Sequence, residues 1–374
     1  MVHVKDASKS VGVCRSLIDI KLKKEFAAKT KQDYVRLREE HATRQSSKKY
    51  LRIEEARTKG VKCDWSKIAV TKPTFLGTKV FPDYDLRDIA TRIDWSPFFM
   101  AWELPGKYPN ILKDPKFGAE AKKLFDDAQT MLEEIMSKKL LTAKAVLGFY
   151  PANSVGDDIE VYTDDSRKKI LTVFHTLRQQ IQHDGSPYYA LSDFIAPKST
   201  GVKDYIGGFA VTAGLGMEKL VEKYEKDNDD YRSIITKAIG DRLAEAFAER
   251  MHELVRRKHW GYAADEKLTN EEMIRCLYQG IRPAPGYPAC PDHTEKRLLF
   301  QILDAEKNTG IHLTENFAML PASSVSGLYF SHPQSKYFWL GPIDKDQVID
   351  FAARKKMDVK TVEKWLSPNL GYNP

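Results

Sequence analysis

Arg282 lies in GIRPAPGYPACPDHTEK (280–296), a stretch with four prolines and two glycines beside Tyr287, Asp292, His293 and Glu295. Proline fixes φ and removes a backbone donor, so the stretch is neither a regular helix nor a central strand. An arginine on so stiff a loop offers a planar fork suited to a carboxylate. Gly286 has no Cβ, which lets backbone approach closely, and the prolines pre-organise the loop around Ala284. Tyr287 could cover an apolar or aromatic part of a ligand. Two readings stay open on these residues alone: a rigid polar turn, or a cradle for a small molecule.

Other chemistry-bearing residues are more ambiguous. Asp94, in RIDWSPFF, has the position of a helix N-cap before Ser-Pro. Glu245 falls on a long helical pattern and reads equally as a solvated face. Tyr337 and Phe338 read as core aromatics of a hairpin. Asp157 and Asp158, in NSVGDDIEV, suit a turn better than an acid–base pair. His293 reads as a loop anchor and His332, before Pro333, as a turn residue. No Ser–His–Asp or Cys–His set stands out. The cysteines at 14, 63, 276 and 290 form no C-x-x-C and suit neither a zinc site nor a disulfide framework, so no metal site is expected and a reducing cytosol is. AGLGMEKL lacks the third glycine of a dinucleotide loop.

The elements that must position these residues follow from periodicity. Residues 117–141 repeat apolar positions at i, i+3/i+4, as do residues 230–262, where Ile234, Ile235, Ala238, Ile239, Leu243, Ala246, Phe247, Met251, Leu254 and Val255 form the expected buried stripe. Helix is also expected over 21–59, 166–180 (with Ser166 as N-cap) and in two short C-terminal segments, while 86–104 mixes a helical pattern with an aromatic cluster. Strands are expected at 2–4, 143–154, 158–164 and 204–214, with a hairpin over 324–341. VTKPTFLGTKVF (70–81) has the punctuation of a boundary. Helices and strands do not alternate cleanly, so the fold class is α+β, a twisted antiparallel sheet flanked by helices.

Composition bounds the rest. The 374 residues are 42% hydrophobic and 30% charged, as in a globular protein. No apolar run reaches the ~20 residues of a membrane span. The net charge of +7 is uneven, with residues 1–72 carrying 19 Lys/Arg against 9 Asp/Glu. Aromatics are sparse in that basic segment, which argues against nucleic acid. An acidic lipid, an acidic protein partner or a solvated helical linker remains.

Five collinear segments, IDWSPFFMAWEL, YPANSVGDDIEVYTD, RPAPGYPACPDHTEK, VSGLYFSHPQSKYF and VEKWLSPNLGY, closely resemble the C-terminal reactivation domain of cobalamin-dependent methionine synthase. The likeness runs from about residue 70 to the end, and VHVKDASKSVGV resembles the tail of that enzyme's cobalamin-binding domain. The family's D-x-H-x-x-G cobalamin loop and zinc cysteines are absent. The resemblance implies a remnant of the cobalamin domain and a helical linker over 1–40, and an S-adenosylmethionine-binding unit over 41–374.

It also implies ligand contacts from Asp94, Glu245, Arg282, Ala284, Gly286, Tyr287, Tyr337 and Phe338, with Asp94 set against the methionine ammonium. The implied reaction is a repair step in methionine biosynthesis: oxidised cobalamin, held by a separate module, is reduced by flavodoxin or a diflavin methionine synthase reductase and remethylated. No side chain of this chain is then expected to act as nucleophile. The implied location is cytoplasmic, with no nucleic-acid or membrane partner. A free-standing S-adenosylmethionine methyltransferase and a docking module for a redox partner are the alternatives. On these grounds Arg282→Ala is expected to weaken the ligand with little change in thermal stability.

Overall fold

In the computed structural model, Val2, residues 7–46 and residues 49–374 are described. Two long strands, Thr142–Val155 (β2) and Asp204–Leu215 (β5), are buried almost throughout and form the centre of a sheet. Their apolar residues alternate strictly, as a period of two requires. Leu147, Phe149, Phe209 and Val211 enter one core, and Val146, Ala152, Ile206 and Ala210 enter another on the opposite face. The first core is closed by the helices Gly118–Ser137, Met217–Lys226 and Asp230–Leu254. The second is closed by the helix Glu295–Leu303.

The sheet is antiparallel at every pairing. Gly77–Tyr84 (β1) and Asp158–Tyr162 (β3) share one edge of β2, which is long enough to take both. Ile170–His175 (β4) extends the sheet beyond β3. His312–Leu313 (β6) and Met319–Leu320 (β7) form a separate small ribbon, and Ser324–Tyr329 (β8) lies on the far side of β5. The α+β expectation therefore holds, and β1 follows directly on the Pro/Gly punctuation at 70–77.

Three expectations fail. Residues 166–180 are not a helix. Ile170, Thr172, Val173 and Phe174 instead pair with β3, and Ser166 donates its amide to Asp164 Oδ1 rather than capping a helix. Open pairing on the edge of β3 outweighs a weak local helical pattern. Residues 324–341 are not a hairpin either. The outer edge of β8 is already taken: Leu328 N–H donates to Pro283 O (2.9 Å) and Phe330 N–H to Ile281 O (3.0 Å). The returning segment therefore leaves the sheet, with His332 in a turn closed by Ser335 N–H to His332 O (3.0 Å). In the long helix, Ile234 is 51% exposed while Ile235 is buried, because the stripe runs 235–239–243. The strand expected at 2–4 lies, apart from Val2, outside the described residues.

The C-terminal helices Lys345–Lys355 and Val359–Trp365 make a third, smaller core. Ion pairs join it to the sheet. Asp157, 1% exposed in the β2–β3 turn, takes both Arg178 and Arg57, and Arg57 continues to Asp350. Asp158 is bound by His175 and Arg354. The aspartate pair thus serves the turn and clamps the C-terminal segment.

Candidate ligand-binding groove

The 280–296 loop lies against β8 as an irregular extra strand. Gly327 permits this approach, since a Cβ there would sit 2.8 Å from Pro283 O. Beyond Pro283 the chain turns sharply, with Tyr287 N–H donating to Ala284 O and Gly286 N–H to Cys290 O (2.7 Å). Gly286 has φ +97°, and a Cβ would fall 2.3 Å from His293 Cε1. His293 thus packs under the turn, as an anchor does, and its Nδ1 lies 2.9 Å from Lys296 Nζ.

This loop, the long helix and the segment around residue 94 enclose a groove with two halves. The apolar half, about 340 Å³, is lined by Phe209, Ala284, Tyr287, Val325, Tyr337 and Phe338, among others. The charged half, about 270 Å³, is lined by Arg92, Asp94, Arg242, Glu249, Cys276 and others. Glu245 and Arg282 line both. Seven of the eight expected site residues therefore line one groove. The eighth, Gly286, shapes the turn beneath it.

Arg282 is held at the junction. Its Nη1 meets Glu249 Oε2 (2.8 Å), Tyr278 Oη (2.9 Å) and His252 Nδ1 (3.4 Å). Its backbone N–H donates to Tyr337 Oη (3.0 Å), which ties two groove-lining segments together. Burial, the largest influence, works against the guanidinium charge, but Glu249 together with Tyr278, Tyr337 and Tyr329 turns the pKa upward. His252 is fully buried. That burial, with Arg256 and Arg282 nearby, drives its pKa well below the usual value, so its neutral ring can accept from Arg282. Glu245 is shifted upward, chiefly by burial, against the pull of Arg282 and Arg242.

Asp94 serves two purposes. Its Oδ1 accepts from Ser96 N–H (2.9 Å) in a turn just before the helix Ser96–Ala101, whose N-cap is Trp95 rather than the Asp94 expected from sequence. It also lines the charged half. Neighbouring Arg92 fixes the segment to the long helix through Glu253. Burial alone would raise the pKa of Glu253, but hydrogen bonds from Arg92 and Arg250 bring it down to about 2. Asn keeps a side-chain oxygen that can accept the same amide hydrogen bond. Asp94→Asn is therefore expected to keep the melting temperature while weakening a cationic ligand several-fold. Calorimetry and thermal melts on the same sample check both halves of that expectation.

The sequence did not single out Glu249, His252, Tyr278, Arg92 or Arg242. A signal was present. Glu245, Glu249, His252 and Arg256 recur at helical spacing along Asp230–Leu254 and its π-helical continuation Val255–His259, and three of them are buried. A buried polar stripe beside an apolar one marks a face turned toward a polar site.

The family described as "Vitamin B12 dependent methionine synthase, activation domain" matches residues 85–356. The chain belongs to this family. A crystal structure described as the MetH reactivation domain bound to AdoHcy superposes with a TM-score of 0.85. It is 51% identical, and the match covers 87% of this chain and 99% of that one. The activation domain is thus part of a cobalamin-dependent methyltransferase. Its antiparallel sheet is unlike the parallel, Gly-loop architecture expected of a free-standing methyltransferase.

Proposed function

We propose that the groove binds S-adenosylmethionine and presents its S-methyl group to reduced cobalamin carried by a separate module, restoring an oxidised enzyme in methionine biosynthesis. The supporting observation is Arg282, fixed where an apolar slot meets an acidic pocket. The protein contacts found for its guanidinium all fall on Nη1, and a ligand carboxylate would meet the rest of the fork. The adenosine suits the slot between Phe209, Tyr287 and Phe338, and the ammonium suits Asp94. Cobalamin would supply the nucleophile that accepts the methyl group. The chain holds no D-x-H-x-x-G segment, so no residue here is assigned to hold cobalamin. Titration calorimetry with S-adenosylmethionine should show one site per chain. Absence of binding to the folded protein would overturn the reading.

We read residues 1–40 as the end of a cobalamin-binding domain with its linker, and 41–374 as the activation domain. The helix Ile20–Ser46 runs across that division. Four free cysteines suit a reducing cytoplasm, and no helix among the described residues is long and apolar enough to cross a membrane.

The electron donor is read as flavodoxin or a diflavin reductase, acidic proteins drawn to the positive charge of residues 1–72. Such steering fades as the Debye length falls from ~10 Å at 0.1 M to ~3 Å at 1 M salt. Stopped-flow association with flavodoxin is expected to slow steeply over that range. A rate indifferent to salt would remove the electrostatic docking.

A further inference from the structure

The charged half of the groove holds three arginines, and each meets a carboxylate. Arg282 faces Glu249, Arg92 faces Glu253 and Arg242 is paired with Asp241. Asp94 and Glu245 have no ion pair among the described residues, and Asp94 receives an amide hydrogen bond from Ser96. These are the two carboxylates of the charged half that no described cation holds at ion-pair distance, although Arg282 and Arg242 pull on Glu245 from farther off. Glu245 differs from Asp94 in position. It lines both halves, whereas Asp94 lines only the charged one. A ligand with its nucleoside in the apolar slot and its amino-acid end in the charged pocket must carry its sulfur across that junction.

We infer that Glu245 selects a sulfonium over a thioether. This rests on the reading of the groove as an S-adenosylmethionine site. S-adenosylmethionine and S-adenosylhomocysteine share the adenosine, the ammonium and the carboxylate. They differ in one methyl group and in the positive charge on sulfur. Arg282, held by Glu249, is read as meeting the carboxylate that both ligands share, so that contact does not tell them apart. Glu245, half-buried and without an ion pair among the described residues, attracts the cation in a medium where charge interactions are stronger than in water. Burial already works against its ionised form, which a cation alongside would favour.

The consequence runs through the reaction. On methyl transfer the carbon–sulfur bond breaks and its electron pair stays on sulfur, so the sulfonium becomes a neutral thioether. The attraction to Glu245 is lost at that step, and the spent ligand is held less tightly than the methyl donor.

Titration calorimetry of wild type and Glu245→Gln with both ligands tests this. A third probe, an S-adenosylmethionine analogue with a protonated amine at the methyl-bearing position, separates charge from the methyl group. Wild type is expected to prefer both cations over the thioether by about tenfold. Glu245→Gln should cut that ratio by about tenfold while changing thioether affinity less than about threefold. Glu245→Asp, which keeps the charge, should retain most of the preference. Asp94→Asn should weaken all three ligands alike, since all three carry the ammonium. An equal loss for cation and thioether in Glu245→Gln would overturn the inference, as would a wild type that does not discriminate. Binding of none of the three by wild type would instead sink the groove assignment, and this inference with it.

Discussion

Arg282→Ala is expected to weaken S-adenosylmethionine binding roughly ten- to hundredfold and to destabilise the fold at the same time. The first effect is the loss of a charge-assisted hydrogen bond to the ligand carboxylate, worth ~1.5–3 kcal/mol. The second comes from the residue left behind. Glu249 is 7% exposed, and its Oε2 loses the guanidinium at 2.8 Å. Its other oxygen, Oε1, already has no hydrogen bond, and the next cation, Arg256 Nη1, is 3.9 Å away. Removing one member of a buried ion pair costs about 3–5 kcal/mol. The expectation from sequence that stability would hardly change is therefore wrong, because it took Arg282 to be free for the ligand alone. The double substitution Arg282→Ala/Glu249→Ala should recover part of the stability and none of the affinity. Urea unfolding and calorimetry on the four proteins of that cycle measure both. Full affinity in a folded Arg282→Ala protein would remove Arg282 from the site.

The chain alone is expected to methylate neither homocysteine nor any other small thiol at an appreciable rate. The groove can bind and orient a methyl donor, but the acceptor must come aligned with the carbon–sulfur bond. Orientation alone is worth ~7–11 kcal/mol of barrier. A thiol diffusing in lacks that alignment, and neither nearby histidine is placed to activate it. His252 is buried behind Arg282, and His293 is packed under Gly286. Adding the cobalamin-bearing module and a one-electron reductant should restore methyl transfer, visible as a change in corrinoid absorbance and as S-adenosylhomocysteine formed. Thiol methylation by the isolated chain would favour a free-standing methyltransferase.

The elements that periodicity revealed are those whose neighbours matter least to their identity. The helices near 117–141 and 230–262 carry their own amphipathic pattern, and the strands at 143–154, 158–164 and 204–214 carry their own β-formers. Residues 166–180 and 324–341 were misread because an edge decides them. The free edge of β3 makes a strand of Ile170–His175, and the occupied edge of β8 prevents a hairpin at Tyr337–Trp339. Neither edge is visible in a local window. The groove was legible only in part for a similar reason. The loop chemistry of 280–296 marked Arg282 and Gly286 directly. Asp94, Glu245, Tyr337 and Phe338 were reached through family resemblance, since nothing in their local sequence joins positions so far apart. Glu249 escaped both routes. It acts through Arg282, and only the fold shows that the two meet.

A crystal structure of this chain grown with S-adenosylmethionine tests the central claim most directly. The ligand is expected in the groove, its carboxylate on Arg282, its ammonium toward Asp94, its adenosine against Tyr287 and Phe338, and its sulfur beside Glu245. A ligand bound elsewhere on the chain, or seated in the groove with its carboxylate away from Arg282, would contradict the account.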